Sequence, residues 1–499
     1  MSTMVSEHKL SDLLSTHGSF DRALQNAARR ANARAVLFAA AALGACAGPA
    51  LPPPLPPAQL APPAAAYVVL GSGGQASARV VLAGDACPSL LVDGQSLPMQ
   101  TRSAPGVAPL RAGQAKPAEF PLRVCEAALP AGARSARIGA RALPLPAVTP
   151  QRIVVLGDTG CRIKQADHAF QDCSDAAAWP FRAVAEAAAR EHPDLVVHVG
   201  DYHYRENACP AGAGCTGSPW GYGWDAWDAD LFVPARDLLA AAPWVAARGN
   251  HEMCSRAGQG WFRLLDTAAP DTQRLCDAPG LDRDADFSAP YAVPLGGNWQ
   301  LIVFDSARAS QPLDRSRAAD AQAYERYARD FAAVAALAAA PGMHSIFVSH
   351  HPVLGFGPGK GGVPAFGTPA LLAPMQEQIG PGYFPAGVAL ALHGHVHTFE
   401  AISFASAHPA TLVTGHGGDL LDREVPATLA ASYASAPGVQ IDFVAHAAGF
   451  GYLVLDRVAQ GWQIRAQGID GTVQARCLLA DGHLTCPEHG ALSRPQAAP

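Results

Sequence analysis

The chain has 499 residues, of which 49% are hydrophobic and 16% charged, and it carries a formal net charge of −6. That balance describes a globular protein with ample core and excludes a disordered or fibrous chain, while the length allows two or three domains. Its basic residues are scattered, mostly as arginine, and form no continuous positive stripe, which disfavours polynucleotide binding and leaves small phosphorylated ligands open.

Residues 1–46 read as an export segment. Met1 to Arg34 are polar and basic, and Ala35 to Ala45 form an apolar run of signal-core length, too short to span a bilayer. Leu43-Gly44-Ala45-Cys46 resembles a bacterial lipobox, which implies acylation of Cys46 and a periplasmic or membrane-anchored lipoprotein. Arg29-Arg30 invites a twin-arginine reading, but Ala31-Asn32-Ala33 lacks the expected continuation. Residues 47–65, rich in Leu-Pro-Pro and Ala-Pro-Pro, lack the amide donors a helix needs and read as an extended tether. The alternative is a disordered arm with no anchor.

Of the 11 cysteines, ten remain beside Cys46 and fall into sequence-adjacent couples: Cys87 with Cys125, Cys161 with Cys173, Cys209 with Cys215, Cys254 with Cys276, and Cys477 with Cys486. An even set without Cys-x-x-Cys spacing argues for disulfides in an oxidising compartment, although spacing leaves the connectivity open. Residues 66–150 hold short runs, Tyr67 to Leu70 and Ala78 to Leu82, between Gly, Pro and Asp turns. This predicts a small β-sandwich domain without a chemical motif.

Residues 151–490 form the expected catalytic domain. Alanine-rich stretches at Trp179–Glu191 and Ala318–Ala340 have helical composition and separate strands. Five short apolar runs end in metal-donor residues: Ile153–Leu156 before Asp158-Thr159-Gly160, Leu195–Val199 before Gly200-Asp201-Tyr202-His203-Tyr204-Arg205, Trp244–Ala247 before Gly249-Asn250-His251-Glu252, Ile346–Val348 before His350-His351, and Val388–Leu392 before His393-Gly394-His395-Val396-His397. Runs such as Gly451–Leu455 and Gly461–Ile464 then finish the sheet.

These five blocks, in this order, resemble the calcineurin-like metallophosphoesterases and, within them, the purple acid phosphatases. The resemblance spans roughly Arg152 to Gly418. It implies an α+β fold, a four-layer α/β/β/α sandwich preceded by the small β-sandwich domain. It also implies two metal ions, one held by Asp158, Asp201, Tyr204 and His397, the other by Asp201, Asn250, His350 and His395. Such a pair polarises a bridging hydroxide that attacks a phosphomonoester. The first ion is expected to be Fe(III), because Gly160 stands where most of the superfamily has a histidine ligand and phenolate is a hard donor. The second would be divalent Fe, Zn or Mn.

By the same resemblance His251 faces the leaving group as an imidazolium, with Glu252 orienting it. Arg205 holds the position of a phosphate-binding arginine in related protein phosphatases, with a loop salt bridge to Glu206 or Asp225 as the alternative. Of His203, His351, His393 and His416, His351 is the first to be expected at the substrate. The aromatic loop Pro219–Trp227 reads as core or lid packing before base stacking, and Gly355–Gly362 as a loop beside the site, since it lacks the spacing of a nucleotide-binding loop. Two other functions share these residues: a phosphodiesterase or nucleotidase on the same metals, and an exported binding protein that has lost turnover. The expected partner is a small phosphorylated substrate, and no nucleic acid.

Overall fold

The computed structural model describes residues 63–271, 275–357, 365–429 and 436–495. The export segment with Cys46, nearly all of the tether, and residues 358–362 of the glycine loop lie outside the described residues.

Two sheets lie at the centre. Arg152–Leu156 (β1), Leu195–His198 (β2) and Trp244–Ala246 (β3) run parallel and adjacent. The antiparallel strands Gly451–Val458 and Gly461–Gly468 extend that sheet on the β1 side. In the second sheet, His344–Val348 (β4) and Val388–His393 (β5) are parallel neighbours, flanked by Trp299–Val303 and Ala410–Thr414. Past their first one or two residues the block strands are buried on both faces, as strands covered on both sides must be. Ile153 and Val155 point into a core that also holds Val197, Val245, Ile346, Val348, Leu390 and Leu392, so this core lies between the sheets. Val154 and Leu156 point the other way, against helix Phe181–Arg190 (α1). On the far side Phe347 and Ile302 meet Tyr327, Phe331 and Val334 of helix Ala318–Ala338 (α2) and Leu371 of helix Pro369–Ile379 (α3). The layers are therefore α/β/β/α.

The β-rich amino-terminal region has two layers. Strands Ser89–Val92, Gln95–Pro98, Ala136–Ile138 and Arg141–Ala142 form a four-stranded sheet. The layer beneath it, Ala65–Leu70, Ala76–Leu82, Arg123–Ala128 and Gln100–Ser103, is continuous with the first catalytic sheet, because Val69 pairs in parallel with Trp244 of β3. Burying Val80, Leu82, Leu90 and Ile138 in the same cluster as Val155 makes one core of the two regions.

Five disulfides join the couples read from the sequence, Cys87–Cys125, Cys161–Cys173, Cys209–Cys215, Cys254–Cys276 and Cys477–Cys486. They fit an oxidising environment. Among the described residues no helix is long and apolar enough to cross a membrane.

Candidate metal centre

All five blocks leave their strands at the same edge of the two sheets. Because Leu156 of β1 is in register with His198 of β2, the chain emerges with Asp158 beside Asp201, and the loops are stitched by Asp158 N donating to Gly200 O (3.0 Å) and Thr159 N to Asp201 O (3.1 Å). The second sheet is tied across: Gly394 N donates to His350 O at 2.9 Å and His395 N to Asp158 Oδ2 at 2.9 Å. Asp158, Asp201 and His395 adopt positive φ, 55°, 56° and 68°, a strained choice for residues with a Cβ that is typical of functional loops. Close approach at Gly249 makes this possible, since a Cβ there would lie 2.1 Å from Asp201 Oδ1.

The donors converge. The Tyr204 hydroxyl donates toward Asp158 Oδ1 (2.9 Å) or Asp201 Oδ2 (2.9 Å) and lies 3.2 Å from His397 Nε2. His397 Nε2 is 3.3 Å from Asp158 Oδ1. On the other side of Asp201, His350 Nε2 is 3.1 Å from Asp201 Oδ2 and 3.2 Å from Asn250 Oδ1. His395 has a ring nitrogen grouped with those of His350 and His351 within 4.8 Å. Thus all seven residues expected as ligands meet at one place, with Asp201 in the middle. A histidine at position 160 could not join them, because even a Cβ there would be 2.8 Å from Tyr204 N.

The ring tautomers suit ligation. His350 Nδ1 lies 2.9 Å from Val199 O and His397 Nδ1 2.7 Å from Leu420 O. A carbonyl only accepts, so both Nδ1 atoms carry a proton and Nε2 is the atom that would face an ion on giving up its own, the usual support of metal-binding histidines. The donor set of carboxylates, phenol, amide oxygen and imidazole fits cations of the transition series. The site also calls for positive charge. Burial works against charging His350, yet the Asp201 and Asp158 carboxylates outweigh it and hold the ring up at about 9. His397 is likewise lifted against burial, to about 10, chiefly by Asp419 and Asp158.

His251 is placed differently from expectation. Its Nδ1 lies 3.0 Å from His203 O and 3.0 Å from Glu206 Oε1, and its Nε2 is 3.8 Å from Asp201 Oδ2. Burial, then the guanidinium of Arg256 packed against the ring, pushes it down to about 3, so the resting form is neutral imidazole, not imidazolium. Glu252 does not touch it. Its carboxylate instead accepts from the backbone N–H groups of Tyr202 (2.9 Å), Gly249 (3.0 Å) and Asp201 (3.1 Å), which shapes the loop that presents Asp201. Orientation of His251 falls to Glu206 and Arg256, which pair with each other and were not singled out for that role from the sequence.

Arg205 is not brought to the cleft. It is 3% exposed, its Nε pairs with Asp230, and its guanidinium stacks on Trp179. Neither Glu206 nor Asp225 is its partner. The cation beside the donors is Arg162, 4.9 Å from the Tyr204 ring and bonded to Asp419 (2.9 Å) and Asp167 (3.0 Å). The cleft has a volume of about 350 Å³, with Arg162 and Lys164 on one wall and Pro312, Phe356 and Val396 among its apolar lining. His351 lines it too, its ring nitrogens each 3.1 Å from the hydroxyls of Ser306 and Ser310. His203, His393 and His416 are fully buried outside the lining. In the aromatic loop Trp224 and Trp227 are buried in the core under α1, and Tyr222 donates to Glu206 at 3.2 Å. Gly355 and Gly357, where the glycine loop begins, edge the cleft.

Residues 151–399 match the family model of the calcineurin-like phosphoesterases. No curated protein is a significant sequence match. Among solved structures the chain is similar to a purple acid phosphatase from yellow lupin seeds (16% identity, TM-score 0.48, covering 87% of this chain and 74% of that one). It is similar as well to PhoD (12% identity, TM-score 0.48, 87% of this chain and 94% of that one) and to the Plasmodium inner-membrane-complex anchor GAP50 (13% identity, TM-score 0.39, 66% and 89%).

Proposed function

From the premise that this chain belongs, through residues 151–399, to the calcineurin-like phosphoesterases and is a metal-dependent phosphoester hydrolase, we propose that it cleaves phosphomonoesters outside the cytoplasm. The observation that carries this reading is the meeting of Asp158, Asp201, Tyr204 and His397 on one side and Asp201, Asn250, His350 and His395 on the other, at the floor of a single cleft. The first group would hold Fe(III) and the second a divalent Fe, Zn or Mn. Bound there, the pair would supply Lewis acidity toward the phosphoryl oxygens and would acidify water so that it can act as nucleophile.

The chain's own residues do the rest. Arg162 and Lys164 line the cleft as cations and favour a dianionic phosphoryl group over a monoanionic diester. The apolar wall at Pro312, Phe356 and Val396 accepts the leaving group and excludes water. His251, held by Glu206 with Nε2 unprotonated, takes the proton that the attacking water gives up and passes it to the leaving-group oxygen, a transfer that burial and Arg256 favour because they make its imidazolium a strong acid. Arg205 has a supporting part only, pinning the loop through Asp230.

Assay of the purified protein against paired mono- and diester chromogenic substrates tests the reading. Preferential monoester turnover supports it. Faster diester cleavage makes the chain a phosphodiesterase on the same metals, and binding without turnover of either makes it a binding protein. Export and anchoring are tested apart: Cys46→Ser should move the protein from the membrane to the soluble fraction, and equal partition of both forms would discard the lipid anchor.

A further inference from the structure

One hydroxyl on the wall of the metal cleft has its oxygen engaged and its hydrogen free. His351 is wholly buried, its ring beside that of His395 with centroids 4.2 Å apart, and it is held from both ends of the turn Ala307–Ser310. Before the turn, Ser306 Oγ accepts from the backbone N–H of His351 at 2.9 Å and lies 3.1 Å from its Nδ1. At the end of the turn, Ser310 Oγ lies 3.1 Å from its Nε2. Ser306 is fully buried, and among the described residues the acceptor within reach of its hydrogen is that Nδ1. A buried hydroxyl keeps its hydrogen bonded, so Ser306 donates to Nδ1 and the ring carries its proton on Nε2. Nε2–H therefore donates to Ser310 Oγ. Both ring nitrogens are engaged in this way, which sets His351 apart from His350 and His395 in the same cluster.

Ser310 Oγ, with one lone pair taken by Nε2–H, has no acceptor for its own hydrogen among the described residues, and it lines the cleft two residues before Pro312. Thr368, which lines the same cleft, differs, since its hydroxyl donates to Pro352 O at 2.6 Å. Arg162 stands on the Tyr204 side, over that ring, whereas Ser310 leads into the apolar wall that takes the leaving group. We propose that Ser310 recognises the leaving group by donating to one of its oxygens, so that the preferred substrates are phosphomonoesters of hydroxylated alcohols, such as polyols and sugars. This rests on the monoesterase reading above. His351 is a positioning residue that holds Ser310 with its hydrogen turned into the cleft. A hydrocarbon leaving group laid over Ser310 would strip water from the hydroxyl and return no acceptor, and a site that bonds a substrate oxygen rejects the analogue that lacks it.

The test is steady-state kinetics of the purified full chain, with its metals as isolated, on glycerol 1-phosphate and n-propyl phosphate, which share a carbon chain and differ in the hydroxyls. Wild type should favour glycerol 1-phosphate in kcat/KM. Ser310→Ala should narrow that ratio by about 2- to 10-fold, the usual effect of one hydrogen bond, with the loss falling mainly on KM. Ser310→Thr, which keeps a hydroxyl, should retain the preference. At equal metal content, His351→Gln, whose side-chain amide can donate toward Ser310, should keep more of it than His351→Leu. The same ratio in wild type and Ser310→Ala would overturn the proposal and leave the monoesterase reading standing, whereas no turnover of either ester by wild type would remove both. Equal ratios in His351→Gln and His351→Leu would strike the positioning role of His351.

Discussion

The Tyr204 hydroxyl lies 2.9 Å from Asp201 Oδ2, though only three residues separate them and both leave the end of the same strand. The loop doubles back because Asp201 sits at positive φ, and the phenol reaches the donor cluster where a histidine at position 160 has no room. Burial, then Asp158 and Asp201, pushes the phenol well above its ordinary range, so it ionises only against a strongly charged cation. Ferric iron satisfies that condition and absorbs visible light through phenolate charge transfer. Iron-reconstituted protein should therefore be pink to purple and Tyr204→Phe colourless. Wild type that holds stoichiometric ferric iron without a visible band would remove Tyr204 from the ligand set.

His251 is held by Glu206 and meets the donor cluster at Asp201, with Nε2 at 3.8 Å, and at Tyr204, whose ring centroid is 3.8 Å from its own. Its removal should leave both metals in place and lower turnover by about 100- to 10,000-fold, the usual worth of one proton-transfer group. Elemental analysis beside steady-state kinetics checks this. Loss of metal in His251→Ala would turn the residue into a ligand or a structural prop.

The convergence of these donors was legible because each candidate ligand sits within a few residues of the end of a short apolar run. Strand and motif then announce each other, as with Ile153–Leu156 before Asp158. What could not be read is contact across the chain. Arg162 meets Asp419 over a separation of 257 residues, and Arg256 meets Glu206 over 50, with no local periodicity to signal either. Arg205 was misplaced for a related reason. Tyr204 turns its side chain to Asp158 and Asp201, so its neighbour is carried to the other side of the loop, where Asp230 waits. In the fold, the runs at Tyr67 and Ala78 were visible as strands, but their pairing to β3 through Val69 and Trp244 depends on distant register that no short pattern encodes.

Glu400 makes the stability pH-dependent. Burial in strand Phe399–Phe404 pushes its carboxyl from 4.5 up to about 8, opposed by the Phe356 N–H and helped by Asp422. Between those values the folded state keeps a proton that the unfolded chain has released, so ν_U is smaller than ν_N and stability falls as pH rises. The favourable contribution is full below 4.5 and gone above about 8. Glu400→Gln should flatten this decline, with a gain over wild type of up to a few kcal/mol at about pH 9 and little at about pH 5. Urea unfolding at both values decides it, and parallel pH slopes for the two proteins would refute the assignment.

The Cys254–Cys276 bridge closes a loop of 22 residues directly after the turn Asn250–Glu252 that carries Asn250 and His251. Within the loop Arg256 packs on His251 and pairs with Glu206, while Trp261 and Phe262 anchor its helix in the outer core. Loop-closure entropy alone assigns the bridge about 3 kcal/mol. Cys254→Ser/Cys276→Ser should therefore lower the unfolding free energy by about that amount. It should also free Arg256, so that turnover drops while the metal content holds, because Asn250 remains fixed through Gly249 and Glu252. Urea denaturation with metal analysis separates the two effects. A denaturation midpoint equal to that of wild type would mean that packing of Trp261 and Phe262 holds the loop without the bridge.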